Sequence, residues 1–316
     1  MILDCVGFGA LNVDKLYRVE RIARPGEEIA VFDQEQHLGG SAANTLVGLS
    51  RLGHRVGYIG KVADDQEGGL HMKSLSAENV DTSRIIVTSH GHSGSVIGFV
   101  DSEGERTLYV DPGVNDTLSF EEIDHDYAAK TNLIHISSFV GEQPFIAQRR
   151  LLEAISSPKV SFDPGNLYAR KGLKALEPFL RRSLVVFPNE SELRILTGEG
   201  PEEGARTLLN QGAAIVAVKL GGEGCYVTDG KSSNYVAAFR TDIVDTTGAG
   251  DAFCAGFLHG LILGRGIRDS GRLGNLVASM KLSKAGARAG LPRIQELKNE
   301  MNKVKRKLSG DGCQVL

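Results

Sequence analysis

Paired cysteines, a stripe of one charge and a long apolar run are all missing from this chain of 316 residues. Its four cysteines, Cys5, Cys225, Cys254 and Cys313, form no Cys-x-x-Cys pair. That excludes the common zinc spacings and a disulfide framework, and it fits a reducing compartment. No apolar stretch approaches the ~18 residues needed to span a bilayer. The N-terminal MILDCVGFGALNVD is too short and too acidic for a secretory signal. Lysine and arginine gather only at 303–307, a run that reads as a solvated helix end, and the net charge is −3. Membrane and nucleic acid are therefore excluded as partners, and a soluble, cytoplasmic protein is expected.

What the chain has in excess is glycine. Its 39 glycines are about twice the usual ~7% share. Many fall in short clusters between apolar runs, where backbone turns tightly or approaches a ligand.

Short β-branched runs at 2–7, 56–62, 132–137, 160–163, 184–187 and 214–219 alternate with helical patterns at 41–52, 143–156, 202–211, 250–263 and 273–285. The runs are continuously apolar, as strands buried on both faces are. This alternation predicts an α/β fold, a parallel sheet with helices on both faces, binding ligands at the carboxyl ends of its strands. Residues 15–37 and 93–111 break the pattern. They read as strands without helices, with a hairpin turn at Asp101-Ser102-Glu103-Gly104. The expected organisation is a core of 1–14, 38–92 and 112–308, a small β-sheet lid of 15–37 and 93–111, and a flexible tail of 309–316.

Two segments imitate phosphate-binding motifs. GFGALN, from Gly7 to Asn12, lacks the third glycine of a dinucleotide fingerprint, and VDKLYRV after it alternates like a strand. The stretch from Gly224 to Ser232 nearly spells a P-loop, but it has five residues between its glycines and leads into a strand. Asp229-Gly230 there signals a type I′ hairpin turn.

A third segment has the right context. Thr247-Gly248-Ala249-Gly250-Asp251-Ala252-Phe253 follows a strand-like FRTDIVD and opens a helix of small and apolar residues. Gly248, Ala249 and Gly250 leave amides unshielded at a helix N-terminus, which favours an anion. Asp251 beside them would repel a phosphate that was only bound. The carboxylate makes sense as the base that takes a proton from a hydroxyl attacking a phosphoryl group.

Here the chain resembles the ribokinase-like (PfkB) carbohydrate kinases. Asp245-Thr246-Thr247-Gly248-Ala249-Gly250-Asp251-Ala252-Phe253 matches their D-T-x-G-A-G-D-x-F throughout. Gly39-Gly40-Ser41-Ala42-Ala43-Asn44 resembles the first family signature. Gly60 to Gly68 resembles G-x-V-G-x-D-x-x-G with Ala63 for a glycine, and Asn189 to Glu192 matches N-x-x-E.

The resemblance implies a three-layer ribokinase-like core with a small β-sheet lid, and an ATP- and Mg²⁺-dependent kinase acting on a sugar or, alternatively, a nucleoside. It implies Asp251 as general base and Gly248, Ala249 and Gly250 as an anion hole. It implies Asn12 and Asp14, at the end of the first strand, with Gly39, Gly40, Ser41 and Asn44, as contacts to the acceptor. Asn189, Lys219, Gly221, Gly224 and Asn275 would serve the nucleotide, with Glu192 holding Mg²⁺ through water. Asp245 would either help hold a monovalent cation such as K⁺ or cap the loop, and Lys219 would approach ATP or simply end a strand. Arg106 on the second lid strand would reach an anionic substituent or stay inert. Unpaired lid edges imply a homodimer. Ribokinase proper carries lysine where this chain has Ser41, and an acidic contact where it reads Ser137-Ser138-Phe139, so ribose itself is in doubt. A phenylalanine there would suit a base. A catalytically silent sugar- or nucleotide-binding regulator is the reading from another class, and an intact Asp251 argues against it.

Overall fold

A computed structural model describes residues 2–310, with the side chains of Arg106 and of residues 305–310 outside the description. The possible contact from Arg106 to an anion, Cys313 and residues 311–316 of the expected tail therefore lie outside the described residues.

In chain order the strands are β1 (Cys5–Phe8), β2 (Asn12–Val19), β3 (Val31–Leu38), β4 (Val56–Ala63), β5 (Val80–Asp81), β6 (Ile85–Thr88) and β7 (Gly94–Val100). They continue as β8 (Arg106–Asp111), β9 (Leu133–Ser137), β10 (Lys159–Asp163), β11 (Ser183–Val186), β12 (Val216–Lys219), β13 (Cys225–Thr228) and β14 (Ser233–Val236). The larger sheet runs β14-β13-β12-β11-β10-β9-β1-β4-β5, with β6 also on β4. It is parallel from β12 to β5, and β13 and β14 add an antiparallel edge.

Burial on both faces explains the apolar runs. Val185 and Phe187 pack into one core and Val186 into the other. Leu133 likewise faces the first core, and Ile134 and Ile136 the second. Helices Ser41–Arg51, Ala249–Ile262 and Ile267–Leu282 cover the first face, and Glu142–Ala154, Leu173–Arg182 and Pro201–Asn210 the second. The result is the expected three-layer α/β fold.

The chain first builds outward from β1 to β4 and then returns to set β9 on the other side of β1. Such a reversal leaves a crevice at the strand ends. The loops after β1 and β9 border it.

A second sheet, β3-β2-β7-β8, stands apart from the first. Its β2 corrects one expectation. The first strand stops at Phe8, so Asn12 and Asp14 do not end it but open β2. The break comes from Asn115, whose amide accepts from Leu11 N–H and donates to Leu11 O, both at 3.0 Å, taking a neighbouring strand's role.

Two further expectations need correction. Residues 237–246 form no strand, because Val244 and Asp245 spend their N–H groups on Leu282 O at a helix end. Ile243 and Val244 are consequently exposed. The β13–β14 turn centres on Gly230-Lys231, not Asp229-Gly230. Asp229 and Ser232 flank it, the Asp229 carboxylate accepts from Lys231 and Ser232 N–H, and Gly230 alone of the pair has a positive φ, so it is no type I′ turn.

Candidate active site

Two helix N-termini converge over the crevice. Helix Ser41–Arg51 begins after Gly40, whose φ of 95° and approach to Ala10 O leave no room for a side chain; a Cβ there would lie 2.4 Å from that oxygen. Helix Ala249–Ile262 begins after Gly248, at φ 75°, where a Cβ would press on Ala287 at 2.8 Å. The helices cross closely because Gly48 faces Ala255; a Cβ on Gly48 would lie 2.6 Å from the alanine Cβ.

Asp251 sits in the first turn of the second helix. Its Oδ2 accepts from Asn44 Nδ2 at 2.8 Å. Arg288 Nε donates to Asn44 Oδ1, also at 2.8 Å, and Arg288 Nη2 donates to Gly39 O at 2.9 Å. A guanidinium only donates, so its presence fixes which end of the Asn44 amide faces Asp251. Burial pushes the Asp251 carboxyl up to about 6, against the Asn44 hydrogen bond and the charges of Lys219 and Arg288, which hold it down. Arg288 has its own pKa pulled down to about 10 by burial. Sequence reading missed it, since nothing in Gly286-Ala287-Arg288-Ala289-Gly290 marks that arginine.

The three amides of the expected anion hole are not equivalent. Ala249 N–H donates to Thr246 O at 3.1 Å, closing the turn that gives Gly248 its left-handed conformation. Among the described residues the amides of Gly248 and Gly250 have no such backbone acceptor.

Two cavities meet at this turn. One, of about 360 Å³, is walled by Asn12, Asp14, Gly39, Gly40, Ser41, Asn44, Gly248, Gly250 and Asp251. It brings together all the residues expected to touch the acceptor and adds Asn115, Asp116, Val96 and Val110, the last two from the small sheet. Asp116 Oδ1 accepts from Gly141 N–H at 2.8 Å, and burial raises its pKa. Ser137 Oγ accepts from Ala42 N–H at 3.2 Å, capping the first helix. Phe139 is 1% exposed and packs edge-on against Phe8, with centroids 5.9 Å apart.

The other cavity, of about 400 Å³, is walled by Lys219, Gly221, Gly224, Ala249, Gly250, Phe253 and Asn275. Asn275 Nδ2 donates to Val236 O and Ala237 O at 2.8 and 3.1 Å, pegging the end of β14 to this wall. Lys219 Nζ donates to Asp163 Oδ2 at 2.8 Å. That ammonium stands beside Gly250, where a Cβ would be 3.5 Å from Nζ. Its side chain is 13% exposed, so it is no surface lysine at a strand end. Burial lowers its pKa, but the Asp163 carboxylate, through its charge and its hydrogen bond, outweighs that cost and raises it.

Asn189 and Glu192 are held away from both cavity walls in a reciprocal cap. Glu192 N–H donates to Asn189 Oδ1 and Asn189 N–H to Glu192 Oε2, each at 2.8 Å. Burial raises the Glu192 pKa against the opposing Lys219 charge. Asp245 accepts from Thr247 N–H and Gly286 N–H through its two carboxylate oxygens.

The family model described as pfkB family carbohydrate kinase matches residues 3–294. The chain belongs to the pfkB family of carbohydrate kinases. It is 45% identical over 250 residues to an uncharacterized sugar kinase of Archaeoglobus fulgidus, covering 78% of this chain and 99% of that one. It is 30% identical over 312 residues to the 2-dehydro-3-deoxygluconokinase of Bacillus subtilis, covering 94% and 95%. Its fold is similar to that of Arabidopsis thaliana ribokinase complexed with ribose and ATP, with a TM-score of 0.84, 21% identity, and 95% and 98% coverage. The protein is thus a sugar kinase, a phosphotransferase with an alcohol acceptor. Among the described residues of the kinase no helix is long and apolar enough to cross a membrane.

Proposed function

We propose that this kinase transfers the γ-phosphoryl group of ATP to a primary hydroxyl of a sugar or sugar derivative. The observation that carries the reading is the shared wall. Gly250 borders both cavities, with Asp251 on one side and Lys219 on the other. A hydroxyl in the first cavity and a triphosphate in the second would meet at the Gly248–Gly250 amides.

The acceptor hydroxyl gives its proton to the Asp251 carboxylate as its oxygen forms the new bond to the γ-phosphorus. The bond from that phosphorus to the bridging oxygen breaks, and ADP leaves with the electron pair. A base near neutrality suits this step. The amides of Gly248 and Gly250, with the Lys219 ammonium, offset charge developing on the transferred group. Gly221, Gly224 and Asn275 would border the nucleoside. Asn189 and Glu192 line neither cavity, so they would serve Mg²⁺ only through water, which suits an ion that keeps several of its waters. Mg²⁺ supplies charge neutralisation between the phosphates.

Phe139 lines the acceptor cavity, but it is packed edge-on against Phe8 and leaves little ring face to stack on a base, which supports a sugar over a nucleoside. Strands β3 and β8, the edges of the small sheet, expose Val31, Phe32, Leu108 and Tyr109, which supports a lid that also joins two copies of the chain. Three buried thiols, Cys5, Cys225 and Cys254, support a cytoplasmic setting.

ADP release with Mg²⁺ across neutral sugars, sugar acids, sugar phosphates and nucleosides tests the reading, in wild type and Asp251→Asn. Turnover with a sugar and its loss in the variant are expected. No turnover with any acceptor would favour a silent binder, and unchanged turnover in Asp251→Asn would remove the proposed base.

A further inference from the structure

Lys281, in the last turn of helix Ile267–Leu282, is fully buried beneath the phosphoryl-transfer turn. An ammonium out of water needs partners. Its Nζ donates to Asp245 O at 2.7 Å and lies 3.8 Å from Asp245 Oδ2. Burial lowers its pKa, while the Asp245 and Asp251 charges favour the charged form. The backbone around it is tightly packed, since a Cβ on Gly290 would lie 2.3 Å from Lys281 O.

This arrangement disagrees with a solvent cation at Asp245. The carboxylate oxygens already receive Thr247 and Gly286 N–H, and the carbonyl oxygen receives Lys281. A monovalent cation would have to compete with an ammonium for that same carbonyl. Charge balance gives the lysine a purpose. The turn carries carboxylates at both ends, Asp245 and Asp251, yet its amides must face an anion. A positive charge behind Asp245 offsets one of the two.

We propose that the Lys281 ammonium is the built-in cation of this turn, a positioning residue that lets the kinase work without a dissociable monovalent cation. The proposal rests on the kinase reading above.

The test measures kcat and melting temperature at equal ionic strength in potassium, sodium and choline chloride. Wild type should keep its kcat within about twofold across the three, with no potassium-specific rise in melting temperature. Lys281→Ala should slow about tenfold or more in choline and recover in part with potassium or ammonium, which fit the vacated space. Lys281→Met keeps that space filled and should not recover. A wild type that slows about tenfold in choline relative to potassium would overturn the proposal. So would a folded Lys281→Ala that is not slowed, or one that is slowed and answers to neither ion, since packing alone would then explain the lysine. If Lys281→Ala fails to fold, the wild-type salt series decides. If no acceptor gives turnover in any salt, the kinase reading fails first; a wild-type melting temperature raised by potassium but not choline would then reject the built-in cation separately.

Discussion

Asn44 Nδ2 donates to Asp251 Oδ2 at 2.8 Å, joining residues 207 positions apart in the chain. The bond favours the carboxylate, because it is made to the charged form. Burial works in the opposite direction and wins, leaving a pKa of about 6. Only the carboxylate accepts a proton, so kcat/KM should rise with pH through a limb near 6. Asn44→Ala removes a donor to the anion and should move that limb upward by about one pH unit. A limb that stays near 6 in the variant would separate Asn44 from the base.

Arg288 acts on the same carboxyl through Asn44 and through its charge. Arg288→Met should raise the limb as well, since a cation that favoured the carboxylate is gone. It also strands Asn44 Oδ1 and Gly39 O, at a cost of about 1–3 kcal/mol. Urea denaturation reads the second effect and the pH profile the first. A variant that loses stability with its limb unmoved would confine Arg288 to a structural role.

How much of this was legible in the sequence follows from the range of the interactions. The Asp245–Asp251 signature and Gly39-Gly40 are local, and their glycines are required by positive φ or close backbone approach at Gly40 and Gly248. Buried parallel strands were legible because burial on both faces leaves no polar alternation. Arg288, Asp163, Lys281 and Asn115 were not, because each acts through a partner 36 to 244 positions away. The misread segment 239–245 has β-branched residues but no neighbouring strand to pair with. Propensity there described a surface that the fold turns toward solvent.

Lys219 and Asp163 form a buried ion pair beside Gly250. Removing one member leaves the other charged and enclosed, which typically costs about 3–5 kcal/mol. Lys219→Met and Asp163→Asn should both destabilise the protein in thermal melts. They should differ in catalysis. Lys219→Met removes the charge proposed to face the transferred group and should lower kcat more than it raises KM for ATP, whereas a change confined to KM would place the lysine in ground-state binding alone.

Gly248 holds φ at 75° against Ala287. Alanine there meets both the left-handed penalty, about 1–2 kcal/mol, and overlap with Ala287. Relief requires the turn to shift, taking the Gly248 and Gly250 amides with it. Gly248→Ala should therefore reduce kcat well beyond what its modest loss in melting temperature suggests. Near-normal kcat in that variant would argue against the turn's amides as the charge-stabilising group.

Strand β3 pairs only with β2, and β8 only with β7, so each offers one unpaired backbone edge of the small sheet among the described residues. Phe32 on β3 is 68% exposed and Tyr109 on β8 is 61% exposed. Large apolar groups beside open edges favour association with a second copy of the same sheet. Light scattering at micromolar concentration should give twice the mass of the chain. Phe32→Asp combined with Tyr109→Asp places charge on both edges and should yield a monomer. Neither residue lines the acceptor cavity, although Val96 and Val110 of the same sheet do. If pairing also steadies the lid over the acceptor, the monomer should show a raised KM for the sugar with an unchanged KM for ATP. A wild type that already scatters as a monomer would end this reading of the lid edges.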